Sequence, residues 1–463
     1  MNRYIKLILK TIATIIATIL FVLLSLALIN LSLFDEELRP EIVEALQEYP
    51  MPADEDNALI AAYGISASND KNVVVSGRQL IERYRYNRDV LGSGGLNERD
   101  YDEVLGANDN DKNWLETYAR CVSRINYGCL KHFEKVLENS PIESKRVRLL
   151  QKRYAQMRKM PVFNNINDMR MTTPLPSYGM IMRVGQLTSV EYYLSDDKSQ
   201  FLENISVDLI FWRMVLHSAG SVIDKMIATA VVWNDVQFLS EFIANNELSQ
   251  NDKVKVLSLL TPLTNDEMDL NTEFDAELKG IVNSLISTED DDMQWLNMRL
   301  ALNSNIPMYT LYQKNATSNM YYDLVRKPLN LLIGLSAPEF SQYPKNHKKA
   351  VKELKNNCCI FGMGDSFSIS PSNLYNPTGK MLMIGMMADY SAYIARLHDL
   401  NGMIALIKLQ LSLQDVPSEK IAESIAGSEF KNLYTGEPMD WDEEANWLSF
   451  DCLNTSSFCK VKL

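Results

Sequence analysis

The 24 consecutive residues from Thr11 to Phe34 include no charged side chain. As a helix the run would extend about 36 Å, enough to cross the hydrocarbon core of a bilayer with some tilt. Arg3, Lys6 and Lys10 precede it, and Asp35, Glu36 and Glu37 follow it. An excess of Lys and Arg on the N-terminal side places that side in the cytoplasm and exports the remainder. The competing reading is a cleaved signal peptide, whose apolar core is roughly 7–15 residues long and ends in a small-x-small site. Ser25-Leu26-Ala27 has that form, but the mostly apolar segment from Leu28 to Phe34 still follows it, as an uncut anchor requires.

Cysteine usage agrees with export. Of six cysteines, Cys121 and Cys129 lie close in sequence, as do Cys452 and Cys459, and Cys358 and Cys359 are adjacent. An even count in near-neighbour pairs suits an oxidising compartment. A bridge across 121–129 would clip a local turn and stabilise by roughly 2–3 kcal/mol on the chain-entropy model. Sequence does not fix the connectivity, and the partners of Cys358 and Cys359 stay open. Neither close pair has C-x-x-C spacing or a nearby histidine couple, so structural bridges are expected rather than a metal site. No cofactor is implied. These features together place the protein in a bacterial inner membrane, crossing once, with its body in the periplasm.

Formal charge is −13 over 463 residues, and the three cations before the run leave about −16 on the exported part. That balance argues against nucleic acid as a partner. An apolar content of 46% with 21 Tyr and 15 Phe excludes a disordered chain.

Beyond the anchor, spacing of the apolar residues predicts a mainly α-helical fold with a short β-like C-terminal tail. Helices are expected over 36–48, Gly77 to Leu91, within Asp109 to Glu138, and from Pro141 to about Lys159. Ser206 to Ala244 reads as one periodic stretch, with Leu209, Ile223, Met226, Ile227, Ala230, Val231 and Phe238 facing a core. Ser249 and Asp252 cap a helix carrying Val254, Leu257 and Leu260. Further stretches cover 273–303, 318–334 and 346–356. Lys380 to Leu413 is the longest, with Met383, Met387, Tyr390, Ile394, Leu397, Ile404, Ile407 and Leu411 on one face. Asp415 and Pro417 open a last short helix that Gly427 stops. Residues 73–75, 358–361 and the tail from Trp447 to Leu463 read as strand. The expected organisation is a stub and anchor (1–34), a membrane-proximal helical region (35–160), a linker (161–178) marked by Pro161, Pro174 and Pro176, and a main helical domain (179–463).

Chemistry-bearing residues are sparse. His132, His217, His347 and His398 lack zinc-ligand spacing, and His398 stands beside Asp399 in the longest helix. Gly364-Asp365-Ser366, after a short apolar run, is similar to the nucleophile block of the GDSL hydrolases. That resemblance implies Ser366 as the nucleophile on an ester. The D-x-x-H of that family is absent, because Ala395 stands three residues before His398. Met381, Met383, Met386 and Met387, with Met363 and Met403, have the chemistry of thioether ligands and also the spacing of a buried stripe. Asp109, Asp111 and Asn113 open like a calcium loop, but Trp114 and Arg120 occupy its glycine and closing glutamate positions. Glu289 to Asp292 reads as the acidic start of a helix. Lys145, Arg146, Arg148, Lys152 and Arg153, with Arg158 and Lys159, surround an apolar stripe of Val147, Leu150, Tyr154 and Met157. Such a face suits contact with anionic lipid or another polyanion, or else a solvated surface.

Asn432-Leu433-Tyr434-Thr435-Gly436-Glu437-Pro438-Met439-Asp440-Trp441-Asp442, followed by Leu448-Ser449-Phe450, resembles the ending of a group of uncharacterised proteobacterial inner-membrane-anchored envelope proteins. There an N-x-Y-x-G-x-P-x-x-[WY] turn leads into a final hairpin. Asp56-Asn57-Ala58 to Gly64, with Gly77-Arg78, is similar to the opening of that group beyond its anchor. The resemblance implies a membrane-anchored, helix-rich protein and carries no catalytic residues with it. The function expected from sequence is therefore a non-enzymatic binding or scaffold component of the envelope, with an envelope protein as partner. The alternative is an envelope hydrolase using Ser366.

Overall fold

The computed structural model describes residues 3–47, 56–90, 95–106, 118, 121, 127–142, 144–164, 170, 172–195, 197–286, 311–343, 349, 352–354, 374–454 and 457–463. The expected strand at 358–361, the Gly-rich segment with Ser366, Cys358 and Cys359, the calcium-like opening at 109–113 and the acidic residues 289–292 lie outside them.

The chain is mainly helical, with a small sheet near its C-terminus. The first half runs α1 (Arg3–Ile29), a 3-10 turn (Ser32–Phe34), α2 (Pro40–Ala45), α3 (Ala58–Gly64), α4 (Val73–Asp89), α5 (Glu98–Leu105), α6 (Cys129–Asn139), α7 (Lys145–Met157), α8 (Tyr178–Leu194), α9 (Lys198–Ser218) and α10 (Val222–Asn245). The second half runs α11 (Gln250–Leu259), α12 (Asn265–Met268), α13 (Asn271–Ile286), α14 (Lys314–Tyr321) with a π turn after it (Tyr322–Arg326), α15 (Lys327–Asn330), α16 (Ala337–Gln342), α17 (Pro377–Met386), α18 (Ser391–Leu413), a 3-10 turn (Ser418–Lys420) and α19 (Ile421–Gly427). Strands β1 (Asp440–Asp442), β2 (Trp447–Ser449) and β3 (Lys460–Lys462) form an antiparallel sheet in sequence order. Leu448 on β2 faces Val461 on β3, and both are buried.

Helix α1 stands apart from the body over most of its length, and Tyr4 to Val22 are all exposed. The hydroxyls of Thr11, Thr14, Thr18 and Ser25 each donate to the carbonyl four residues earlier, which satisfies them without water. The helix first meets the body at Leu26 and Asn30, which are buried.

The centre of the body is α10. Of its 24 residues, 18 are buried, and it packs against α6, α8, α9, α13, α18 and β3. From Val231 to Ile243 every residue is buried, and a segment enclosed this fully has no solvent face, so a strict amphipathic stripe is not needed to place it. The periodic stretch 206–244 is interrupted at Ala219-Gly220-Ser221, and the Ser221 hydroxyl accepts the Asp224 N–H at 3.1 Å to start α10. Helices α9 and α10 then fold back on each other. Within this stretch Leu209, Val231 and Phe238 are buried as expected, whereas Ile223 is exposed.

Three other local expectations are corrected. Residues 73–75 form the first turn of α4 rather than a strand, because the Asn72 side chain accepts the Val74 and Val75 N–H groups at 3.0 and 3.1 Å. The stretch 380–413 is two helices, parted at Met387–Tyr390, where Asp389 accepts both the N–H and the hydroxyl of Ser391. In α11 the Ser249 cap forms as expected, but Val254 and Leu257 face solvent at 66% and 47% exposure. Val256 is buried in their place, and Leu260, just past the end of the helix, is buried as expected.

One continuous cluster of buried side chains runs from Ile42 to Val461. The described parts of 161–178 lie against α3: Val162 O accepts the Ala58 N–H at 2.7 Å, Asn57 exchanges bonds with the Asn164 backbone, and Tyr63 donates to Pro174 O at 2.8 Å. Helices α3 and α4 cross at two glycines. A Cβ on Gly64 would lie 1.9 Å from Val73 O, and one on Gly77 would lie 1.9 Å from Ile60 O. Neither backbone can give way without breaking its helix, so Gly77→Ala is expected to cost about 2–3 kcal/mol. Urea unfolding of the purified protein checks this, with Gly427→Ala as a control, because a Cβ there meets nothing within 4 Å.

Candidate functional site

His398 is a core side chain. It is buried, its ring lies 5.1 Å from that of Phe340, and burial holds its pKa down to about 4, so the imidazole is neutral. An imidazole packed in this way is poorly placed for general-base catalysis, because a base needs access to the proton it takes. Its neighbour Asp399 points elsewhere and accepts from Tyr434 Oη at 2.6 Å, Leu453 N at 2.9 Å and Asn454 N at 3.0 Å. Those bonds hold the C-terminal segment against α18.

Both close cysteine pairs sit at disulfide distance, with Cα separations of 5.6 Å for Cys121–Cys129 and 5.9 Å for Cys452–Cys459. The second pair approaches Asp399 closely enough to suggest a three-donor metal set. With the sulfurs joined and the carboxylate occupied by three donors, that set has no free ligand atoms. Met383 and Met403 are buried in the core, in keeping with the stripe reading of the methionines.

The basic segment turns its charge inward. Val147, Leu150, Tyr154 and Met157 are buried as expected, and so are Arg146 and Arg153. Arg146 donates to Ala67 O at 2.8 Å and Ser66 O at 2.7 Å. Arg153 donates to Ile65, Ala67, Ser68 and Lys71 carbonyls at 2.5–3.1 Å. The two guanidiniums thus satisfy the carbonyls left open beyond α3, a cationic cap on a helix C-terminus. Arg148 pairs with Glu191 at 2.6 Å, while Lys145 and Lys152 remain exposed. For Arg146 and Arg153 the polyanion reading is therefore corrected: both are committed to backbone. Arg153→Ala is expected to cost about 2–4 kcal/mol, because several buried carbonyls lose their donor, whereas Lys152→Ala stays within about 0.5 kcal/mol. Thermal unfolding of the two variants side by side checks the contrast.

The polar groups that organise the body lie on α10, and each reaches a different neighbour. Asp224 accepts from the Tyr178 hydroxyl at the start of α8 and from Ser221 at 2.7 Å. Lys225 donates to Glu273 at 2.9 Å and to Asp269 O at 2.5 Å, which ties down α13. Asp235 faces Asp208 on α9 and Arg158 just beyond α7. Glu241 accepts the N–H groups of Gly128, Cys129 and Leu130 at 3.2, 2.9 and 2.9 Å, capping α6 at the Cys121–Cys129 bridge. Burial raises the Glu241 pKa to about 7 against the lowering effect of those N–H groups. A carboxyl raised on folding loses its stabilising contribution as pH climbs from about 4.5 toward 7. The expected outcome is that Glu241→Gln flattens the fall of the urea midpoint over that interval, measured against wild type at each pH.

The junction between α1 and the body is a second buried polar node. Asn30 Nδ2 donates to Leu26 O and Leu374 O, both at 2.8 Å, and Asn30 Oδ1 accepts the Asn376 N–H at 2.7 Å. Asn376, in the left-handed region at φ 49°, accepts from Gln313 N and Gly379 N and donates to Thr317 Oγ1 at 2.9 Å. Gln313 Nε2 donates to Leu31 O at 3.0 Å, and Asp35 caps α14 through the N–H groups of Asn315 and Ala316. A Cβ on Gly379 would lie 2.0 Å from Thr317 Oγ1, so the node closes only around glycine.

Sequence reading passed over both sets. A single amide in the apolar run, Asn30, and four ionisable residues within an otherwise apolar α10 were the available signals. Among the described residues these groups face one another and the backbone rather than solvent, an arrangement that clamps elements together. No protein-family model, curated protein or solved structure matches the chain.

Proposed function

We propose that this is a single-pass protein of the bacterial inner membrane whose helical periplasmic body is a binding or scaffold component of the cell envelope. Residues 11–34 anchor it, and the partner is another envelope protein. The observation that carries the reading is the exposed apolar helix α1, joined to the body without a spacer through the buried Asn30–Asn376 node. A body clamped to the end of its anchor holds its surfaces at one height and one rotation relative to the bilayer. That rigidity serves positioning of a partner, where a tether would need a flexible linker. Leu33 at 83% exposure and the exposed Phe34 lie at the end of the span, beyond α1, and suit the headgroup boundary. The acidic charge of the remainder and the two disulfide-distance pairs are consistent with an exported body. The resemblance of residues 432–442, and of 56–64 with Gly77-Arg78, to anchored envelope proteins points the same way.

Replacing residues 11–25 with an unrelated apolar span, keeping Arg3, Lys6, Lys10 and Leu26 to Phe34, is expected to leave the protein membrane-bound and folded. An alkaline phosphatase fused after Leu463 is then active; an inactive fusion with C-terminal protection from external protease overturns the orientation. Photo-crosslinking from exposed positions on the body is expected to capture a discrete envelope protein. Labelling of Ser366 by a fluorophosphonate would instead establish the hydrolase. Asn376→Ala removes three side-chain hydrogen bonds from the node and is expected to lower stability by about 2–4 kcal/mol, read by thermal unfolding in detergent.

A further inference from the structure

We propose that Asp208 and Asp235 form a proton-binding site inside the body: the pair holds a single proton, and that proton keeps α7, α9 and α10 packed together. The site contains two carboxyls and one guanidinium. Arg158 donates to Asp208 Oδ1 at 2.9 Å and to Asn204 Oδ1 at 3.1 Å. The Tyr154 hydroxyl donates to the same Asp208 oxygen at 2.6 Å and accepts from Trp212 Nε1 at 2.9 Å. Asp208, Asp235, Tyr154 and Trp212 are each 1% exposed. Asp208 Oδ1 thus has two donors, one of them a guanidinium. Asp235 is supported by Asn234 on its own helix, and its Oδ2 has no partner.

The ionisable groups facing Asp235 are Asp208 from α9, and Tyr154 and Arg158 from the α7 side. With both carboxyls ionised, the enclosed site carries a net negative charge and one unpaired carboxylate oxygen. Burying such a charge is far costlier than binding a proton. Two carboxyls that share a site cannot both ionise readily, and the one without the guanidinium keeps the proton. Burial and the Asp208 charge both push Asp235 well above the usual carboxylate range, in agreement with the charge count.

The consequence has a definite sign. A carboxyl whose pKa is raised on folding binds more protons in the native state, so stability falls as pH rises from the unfolded value toward the folded one. Because α10 packs against five other helices and β3, loss of this proton loosens a central contact rather than a surface loop. Other buried carboxyls, Asp224, Glu241, Glu273 and Glu277, are raised as well, so the test compares variants rather than reading wild type alone.

The full-length protein in detergent is unfolded with urea at pH 5 and pH 9. The wild-type midpoint is expected to fall between them, and that of Asp235→Asn to fall less, so that the variant gains relative stability at pH 9. Asp208→Asn strands Arg158 and lowers the midpoint at both pH values. Equal midpoint shifts for Asp235→Asn at the two pH values would overturn the proposal. Should that variant not fold, infrared spectra of aspartate-selective 13C-labelled protein decide. A labelled, protonated carboxyl band at pH 7 that is lost in Asp235→Glu supports the site, and a spectrum of ionised carboxylates alone sinks it.

Discussion

The fold depends on enclosing α10 on all sides although it carries Asp224, Lys225, Asp235 and Glu241. A buried ionisable group must be met by a partner or neutralised, since leaving it alone costs several kcal/mol. Three of the four answer that demand with a different neighbour: the start of α8, α13 and the N-terminus of α6; Asp235 answers it through the proton proposed above. Apolar packing alone would let neighbouring helices rotate or slide with little change in buried area. Hydrogen-bonded partners at fixed positions along one central helix allow one arrangement.

The same logic recurs at the periphery. Arg146 and Arg153 leave the surface to serve carbonyls beyond α3, and Asp399 gathers three donors from the C-terminal segment. The two disulfide-distance pairs are also linked in space: Tyr127, inside the first loop, stacks edge-on against Trp447 at 4.9 Å, and Trp447 lies 5.8 Å from Phe458 beside Cys459. Residues from the first third of the chain and its last twenty are therefore held together by rings as well as by β3 packing on α10. At the proposed anchor, the Asn30 node extends this rigidity to the end of α1.

Much of the architecture was legible in the residues. The apolar run became α1, Ser249 capped α11 as its hydroxyl chemistry requires, and both near-neighbour cysteine pairs came together. What misled the reading was period without context. Val254 and Leu257 have helical spacing, yet the buried residue of α11 is Val256, and of the three expected residues only Leu260, at its end, packs inside. Gly77 read as the start of a helix, whereas it is the point where α4 crosses α3, four residues into a helix started by Asn72. Arg153 and Lys152 are indistinguishable as charges in a sequence. They part only because a guanidinium's several donors can serve several carbonyls at once.

By itself the sequence determined the helical class, the apolar N-terminal segment and the acidic net charge, because each follows from local composition and spacing; the pairing of the cysteines it left open. The tertiary structure alone decided which polar residues go inside. Asn30 meets Asn376 across 346 positions, and Glu241 caps α6 across more than 110. Asp208 and Asp235 become a pair only when α9 and α10 fold back on each other. Such contacts depend on where distant backbones end and which of their groups lack partners, information that resides in the packed arrangement rather than in any window of the chain.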